Sequence, residues 1–172
     1  SDVCSSDLKE WIRNYPKKLW LGDDSIKNKV IFIYPEQGHG DFIQCYRYID
    51  LLKDLNPKKI ILEVTEPFYK LIYAQDHEIE VIGPNTQPSK FDFYSPIMSL
   101  PLAFKTEILN VPNKCPYLLT NLNKDKFWEE KFKNNNHLRI GLCWSGNPLH
   151  KNNHNRSMSL NDFTELITLP FE

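Results

Sequence analysis

The sequence predicts an α/β protein with a doubly wound parallel sheet, and three observations lead to this class. Continuous apolar runs of strand length recur along the chain, as at Lys29–Tyr34 and Lys59–Val64, and such runs are typical of parallel strands covered on both faces. Stretches with helical periodicity follow the runs. Alternation of the two patterns favours parallel strands joined by helices.

The first unit is a strand, a turn and a helix. The strand Lys29–Tyr34 runs into the turn Glu36–Asp41, after which apolar side chains recur at three- and four-residue steps. This spacing places them on one face of a helix. The members of the face are Phe42, Cys45, Tyr46, Ile49, Leu52 and Leu55.

A second unit of the same kind follows, and two more strands complete the predicted sheet. Pro67 in the first turn favours a short helix after the second strand, and Gly83-Pro84 ends the third strand. In chain order these elements are the strand Lys59–Val64, the helix Glu66–Tyr73 and the strands Glu78–Ile82 and Phe91–Tyr94.

Two further stretches lie between the sheet and the next strand pattern. Several prolines exclude long regular elements from Ser95–Leu119. A charged helix is predicted at Asp125–Lys133. Its aromatic side chains are expected to face inward, namely Phe127, Trp128 and Phe132.

A second domain starts near the end of the chain. The strand pattern restarts at His137–Trp144 and is followed by a polar loop, Ser145–Ser157. Ser159, with Asp162 three residues later, has the form of a capping box and is predicted to open a helix. The chain ends where the next strand would begin, so we expect only the first strand, loop and helix of a truncated domain.

The length of 172 residues allows one full domain and part of another, and we divide it into four parts. Residues 1–8 resemble a translated sequencing adapter and carry no fold information. Residues 9–28 form a lead-in segment that we expect to pack on a domain edge. The first domain comprises residues 29–133, and residues 137–172 form the start of the second, truncated domain.

Composition narrows the possible partners and the location. Lys and Arg number 21 against 22 Asp and Glu, and the net charge of −1 gives no basic surface for nucleic acid. The apolar runs are too short for a transmembrane segment and the start of the chain lacks a signal peptide, so we expect a cytoplasmic protein. Cys45 and Cys143 lie in apolar segments without a CxxC pair, which predicts buried free thiols.

The turn Gly38-His39-Gly40 after a strand suggests a dinucleotide fingerprint. In that interpretation Glu63, at the end of the next strand, would bind the ribose. Two facts oppose it. The third glycine position holds Ile43, and Asp41 places a carboxylate where a phosphate would need positive potential.

A carboxylate held at the helix start suits proton transfer better. The positive end of the helix favours the ionised form of Asp41, and Gly38 and Gly40 leave room for a substrate hydroxyl. Such a carboxylate can accept the hydroxyl proton as the oxygen attacks. Asp41 also fits the simpler role of an N-cap, and Glu36 and Gln37 either bind a substrate or are solvated.

The loop Ser145–Ser157 is the second candidate site. Its Ser145-Gly146 turn and its cations suit a diphosphate, although a hydrophilic surface loop explains the same pattern. The histidines lack a convincing ligand set, so no metal is expected. The cations are His150, Lys151, His154 and Arg156.

Several motifs occur in order and cover nearly everything after residue 8. They are Leu19–Gly22, Glu36–Asp41, Ile43-Gln44, Arg47-Tyr48, Ser99–Phe104, Pro116–Leu118, Gly141–Pro148 and Asn155–Ser157. Together they resemble the bacterial tetratricopeptide-linked glycosyltransferases related to the ADP-heptose:lipopolysaccharide heptosyltransferases. The resemblance implies a GT-B architecture, in which a Rossmann-like N-terminal half takes the acceptor and a second Rossmann-like half holds the nucleotide-sugar.

The resemblance also implies an activity. The intact parent would transfer a sugar, with inversion and without a metal or other cofactor, to a carbohydrate or protein acceptor. Tetratricopeptide repeats would lie upstream, and this fragment alone would be inactive. The alternative is a non-enzymatic carbohydrate- or protein-binding module on the same fold.

Site residues follow from the matched motifs. The proposed catalytic base of the relatives corresponds to Asp41, and Arg156 corresponds to a basic residue associated with the donor diphosphate. The sequence departs from the family pattern at His39, Asn153 and Ser159, where an apolar residue, an aspartate and a proline are common. The acceptor-side turn comprises Glu36, Gln37, Gly38 and Gly40, and the residues near Arg156 on the donor side are Ser145, Gly146, Asn147 and Ser157.

Overall fold

The computed structural model describes residues 13–36, 38–73, 78–120, 122–133, 139–149 and 151–167. Predictions for residues 1–8, for Gln37 and for His150 therefore lie outside the described residues. The contacts divide the chain into two units, Ser1–Leu122 and Asn123–Glu172. This division falls at the start of the charged helix, whereas the sequence analysis placed the boundary after that helix.

Five parallel strands form one sheet in the described part of the first unit, which confirms the predicted α/β class. Their order is β1-β5-β2-β3-β4, so the chain moves outward from β2 to β4 and returns to the other side of β2 with β5. The strands are β1 (Lys18–Leu19), β2 (Val30–Tyr34), β3 (Lys59–Glu63), β4 (Ile79–Ile82) and β5 (Phe93–Pro96).

One face of the sheet packs on helices. The helix predicted after the first turn is in fact two helices, α1 and α2, which meet at Arg47. Their buried side chains contact Ile31, Ile33 and Leu62 of the central strands. The helices of this unit are α1 (His39–Tyr46), α2 (Tyr48–Asp54), α3 (Glu66–Tyr73), α4 (Leu100–Ala103) and the 3₁₀ helices Ile97–Ser99 and Ile108–Asn110.

The other face of the sheet lacks the helices that the predicted doubly wound sheet would place there, among the described residues. Its cluster of strand residues, which includes Phe32 and Tyr94, packs against Tyr15 and Phe91, and no described helical residue joins it. The right-handed crossover rule places the connection from β4 to β5 on this face. That connection, residues 83–92, is a proline-containing loop without a helix, so aromatic loop residues cover the sheet instead.

The lead-in segment contributes more than a contact at a domain edge. Lys18 and Leu19 form strand β1, which pairs with β5. The ring of Tyr15 lies 5.1 Å from that of Tyr94 and 5.6 Å from that of Phe32, centroid to centroid, in edge-to-face geometry. Such aromatic pairs add to the stabilisation from buried area.

The second unit differs from the prediction in two places. Residues 139–144, expected to be strand, have no regular structure, and Cys143 is exposed rather than buried. A parallel strand needs neighbours for its hydrogen bonds, and the described part of this unit offers none. The helices are α5 (Leu122–Phe132), the 3₁₀ helices Asn153–Asn155 and Leu160–Phe163, and α6 (Thr164–Ile167).

Helix α5 does not turn its aromatic side chains inward. Phe127 and Trp128 are 57% and 47% exposed, and the rings of Trp128 and Phe132 stack on each other at 5.5 Å. No α5 side chain is buried, because the charged residues around the aromatics leave no continuous apolar stripe.

The predicted capping box is confirmed. The Ser159 N–H donates to Asp162 Oδ2 at 2.8 Å, and Ser159 Oγ accepts from the Asn161 N–H at 3.2 Å. Ser159 and Asp162 therefore each satisfy an N–H group at the start of this helix.

Candidate functional site

The carboxyl ends of β2 and β5 form the topological switch point of the sheet. From β2 the chain continues towards β3 on one side, while β5 lies on the other. The loop after β2 leads into α1, and β5 continues directly into the 3₁₀ helix Ile97–Ser99. Open α/β sheets bind their ligands in the crevice at such a point, so this loop and this 3₁₀ helix define the candidate site.

Asp41 lies in the first turn of α1, at the third position after the N-cap. The N-cap is Gly38, which makes no side-chain capping bond, so the N-cap role considered for Asp41 is wrong. The Asp41 side chain is partly buried. Among the described residues its carboxylate takes part in no hydrogen bond or ion pair, which leaves it available to a ligand.

Space around this carboxylate is open on the side of the glycines. Apart from its chain neighbours and the backbone of α1, a Cβ added at Gly40 would meet no described atom within 4 Å, and one added at Gly38 would meet Asp41 Oδ2 at 3.4 Å. Gly38 and Gly40 are exposed. Among the described residues, none close to Gly40 blocks the approach of a hydroxyl-bearing ligand.

His39 occupies a position that is usually apolar in the family that the chain resembles, and it is exposed but makes one aromatic contact. Its ring lies 5.1 Å from the ring of Phe68 on α3 in edge-to-face geometry. Phe68 in turn stacks on Phe42 of α1 at 5.0 Å. The imidazole therefore substitutes for an apolar side chain by an aromatic contact.

Glu36 is held by the protein rather than solvated. Its Oε2 accepts a hydrogen bond from the Met98 N–H at 3.0 Å. Burial raises the pKa of this carboxyl, and the Met98 N–H opposes that rise in part. The carboxylate thus joins the loop after β2 to the 3₁₀ helix after β5.

The structure does not support Glu63 as the ribose-binding residue of the dinucleotide interpretation. Glu63 is only 4% exposed, and Arg13 Nη1 and Nη2 donate to its two carboxylate oxygens at 2.5 and 2.9 Å. The guanidinium also lies 5.0 Å from the centroid of the Tyr34 ring. A carboxylate engaged in such a bidentate pair is not free to bind a ribose.

Arg13 itself was not identified from the sequence. It lies in the lead-in segment, 50 residues from its partner. A glutamate at the end of a buried strand indicates that a cation is needed. Nothing in the local sequence, however, indicates which of the 21 basic residues supplies it.

The second candidate site, the loop Ser145–Ser157, is closed by its own hydrogen bonds. Ser157 Oγ accepts from the Gly146 N–H at 3.1 Å and donates to Asn153 Oδ1 at 2.8 Å. The Met158 N–H donates to the Trp144 carbonyl at 2.8 Å. The asparagine that stands in place of an aspartate is therefore part of the loop framework.

Polar groups of this loop differ in their availability. Gly146 and Ser157 are engaged with each other, and Asn147 Oδ1 accepts from the Leu149 N–H at 3.0 Å. Arg156 is exposed, and among the described residues its guanidinium has no partner. Of the predicted donor-side residues, Arg156 is thus the one whose charge is free to meet an anion.

Two searches of the described residues bear on other site types. No three His, Cys, Asp or Glu side chains cluster there as metal ligands. No helix of the described chain is long and apolar enough to cross a membrane. In comparisons with known proteins, no family model, no curated protein and no solved structure matches the chain.

Proposed function

We propose that the chain is part of a glycosyltransferase that moves a sugar from a nucleotide-diphosphate donor to an acceptor hydroxyl. One observation carries the proposal. At the switch point of a parallel sheet, the carboxylate of Asp41 has no partner among the described residues and stands beside open space over Gly40. The ordered motifs that resemble the glycosyltransferase family supply the reaction class.

Asp41 acts as the general base in this proposal. Its carboxylate accepts the proton of the acceptor hydroxyl while that oxygen bonds to the anomeric carbon of the donor sugar. The bond between the anomeric carbon and the diphosphate breaks, and the nucleoside diphosphate leaves with the electron pair. Attack from the face opposite the leaving group inverts the configuration at that carbon.

The position of Asp41 suits this role electrostatically. The N-terminus of α1 carries partial positive charge, which favours an ionised carboxylate in the first turn. A base must be ionised before it can take a proton. A phosphate at the same turn would meet the negative charge of Asp41, so the donor diphosphate is assigned to the other loop.

Arg156 is the proposed partner of the donor diphosphate. A guanidinium forms two parallel hydrogen bonds to phosphate oxygens and stays charged at all relevant pH values. Ser145 and Asn147 lie on the same loop and are exposed. In the resembled family the corresponding region belongs to the donor half of a GT-B enzyme, and the proposal therefore places this chain within a longer protein.

The test uses the complete reading frame that contains this chain. Release of nucleoside diphosphate is measured with a panel of nucleotide-sugars and with carbohydrate and protein acceptors. Arg156→Ala should raise the donor KM by roughly tenfold or more. Lys126→Ala, which removes an exposed positive charge from α5 of the same unit, is the matched control and should leave the donor KM unchanged.

Three outcomes contradict parts of the proposal. An unchanged donor KM in Arg156→Ala removes Arg156 from the diphosphate site. Release of no nucleoside diphosphate from any donor contradicts sugar transfer. Saturable carbohydrate binding without turnover would instead support the non-enzymatic binding module.

A further inference from the structure

At the switch point, the loop after β2 and the 3₁₀ helix after β5 lie beyond the last backbone pair of their strands. The ladder between β2 and β5 ends at the pair Tyr34 and Pro96, and Pro96 has no N–H to donate. Glu36 and Met98 each follow two residues later, and the side chain of Glu36 accepts the Met98 N–H at 3.0 Å. A side chain therefore continues the connection where the backbone ladder stops.

We infer that Glu36 is a positioning residue, which holds the loop that leads into α1, and so to Asp41, against the 3₁₀ helix Ile97–Ser99. The inference rests on the proposed role of Asp41 as base. Helix α1 also contacts this 3₁₀ helix directly. The Glu36 bond thus adds a second connection between this 3₁₀ helix and the chain that leads into α1.

The charge of Glu36 argues against a purely structural role. Burial raises the pKa of this carboxyl, which means that its ionised form lowers the stability of the fold. A glutamine would accept the same N–H without that cost. The ionised carboxylate, however, makes a stronger hydrogen bond to the Met98 amide. This bond restricts movement between the loop after β2 and the 3₁₀ helix more tightly.

Other titratable groups near Glu36 differ from it in the pH range over which they titrate. The pKa of the Tyr34 phenol on β2 is raised by burial and, to a smaller degree, by the charge of Glu36. The pKa of the Cys45 thiol on α1 is raised by burial and then by the charges of Asp41 and Glu36. Both groups titrate above neutral pH, well apart from a glutamate.

The first measurement follows the Met98 amide by NMR in the 172-residue chain. In the wild type its chemical shift should titrate with a midpoint above the ordinary range of a glutamate. Glu36→Gln should abolish the titration and keep most of the protection from hydrogen exchange. Glu36→Ala should abolish the titration and speed exchange of this amide by roughly ten- to a hundredfold.

The second measurement uses the enzyme from the complete reading frame. Glu36→Ala should lower kcat by about tenfold or more, because small misplacement of a base slows the reaction, with the donor KM within about twofold of the wild type. Glu36→Gln should recover most of the loss. If Glu36 were needed only for folding, Glu36→Ala would lower the melting temperature without this selective loss of kcat.

The outcomes separate this inference from the proposed function. Unchanged exchange of the Met98 amide in Glu36→Ala overturns the inference alone, as does unchanged kcat in that variant. Unchanged turnover in Asp41→Asn overturns the proposed base and the positioning role that depends on it, even where the exchange of Met98 responds to Glu36. The positioning role of Glu36 is supported if Glu36→Ala loses kcat and speeds exchange of the Met98 amide, and if Glu36→Gln recovers both.

Discussion

The carboxylate of Glu36 and the amide of Met98 lie 3.0 Å apart and 62 residues apart in sequence. This hydrogen bond spans the point where the strand order of the sheet reverses, and it ties down the loop that leads to Asp41. The relationship explains why a partly buried carboxylate is found at a turn whose two glycines, Gly38 and Gly40, are exposed. It also has consequences for stability.

Stability should depend on Glu36 in a direction set by its pKa. Because burial raises the pKa of Glu36 in the folded chain, the folded chain keeps a proton that the unfolded chain has lost at pH values between the two pKa values. That contribution to stability is present below the unfolded-state pKa and is lost as the pH rises through the folded-state pKa. A glutamine at position 36 does not titrate, so the stability of that variant shows no such loss.

We therefore expect Glu36→Gln to melt at a higher temperature than the wild type at neutral pH, with the difference shrinking as the pH falls to about 4. Thermal melts followed by circular dichroism across this pH range provide the measurement. Glu66→Gln, at the exposed start of α3, is the control and should show no gain. A lower melting temperature for Glu36→Gln at neutral pH would contradict the assignment.

Gly22 should be one of the least replaceable residues. Its φ is +93°, and a Cβ at this position would lie 2.0 Å from the Ala103 carbonyl oxygen. Gly22→Ala should therefore destabilise the chain by more than about 2 kcal/mol, as measured by urea denaturation. Gly40→Ala is the matched control, because its Cβ meets nothing within 4 Å apart from chain neighbours and the helix backbone, and alanine favours a helix over glycine by up to about 1 kcal/mol.

The two glycine variants also separate folding from function. Gly40→Ala should fold at least as well as the wild type and lose turnover, since its methyl group would fill part of the space that the glycine leaves open next to Asp41. Equal loss of stability in both variants would show that the space over Gly40 is not open.

The buried ion pair should matter far more than the surface pairs. Arg13→Ala leaves the carboxylate of Glu63, which is 4% exposed, without its cation. Since the Arg13 side chain is itself 40% exposed, we discount the usual cost and expect a loss of about 2 to 3 kcal/mol. Chemical denaturation measures it.

Lys18→Ala is the control for that experiment. It breaks the pair with Asp24, which is largely exposed on the lysine side, and should cost at most about 1 kcal/mol. Arg13→Ala combined with Glu63→Gln should recover part of the loss, because no unpaired buried charge remains. A double variant as unstable as Arg13→Ala would contradict this explanation.

The central strands were predictable because their apolar runs report directly on burial. The runs at 29–34 and 59–64 contain β2 and β3 almost residue for residue. The run at 137–144 has the same character, but its described residues 139–144 form no strand. An apolar run favours a strand only where neighbours can complete its hydrogen bonds, and a local pattern carries no information about neighbours.

At the candidate site, sequence reasoning located Asp41 but not the contacts that surround it. Glycines and an acidic residue after a strand are a local signal, so the turn was found. The partners of Glu36 and Glu63 come from 62 and 50 residues away. Such pairs depend on how the strands are ordered in the sheet, which the sequence pattern alone does not specify.

The most direct test of the central claim is the turnover of Asp41→Asn in the enzyme from the complete reading frame. Asparagine keeps the shape of the side chain and cannot accept the proton, so kcat should fall by a factor of about 100 to 10,000. Asp50→Asn, in the first turn of α2 and paired with Lys114 at 2.6 Å, should turn over within about twofold of the wild type. Equal turnover in Asp41→Asn and the wild type would contradict the role of Asp41 as the catalytic base.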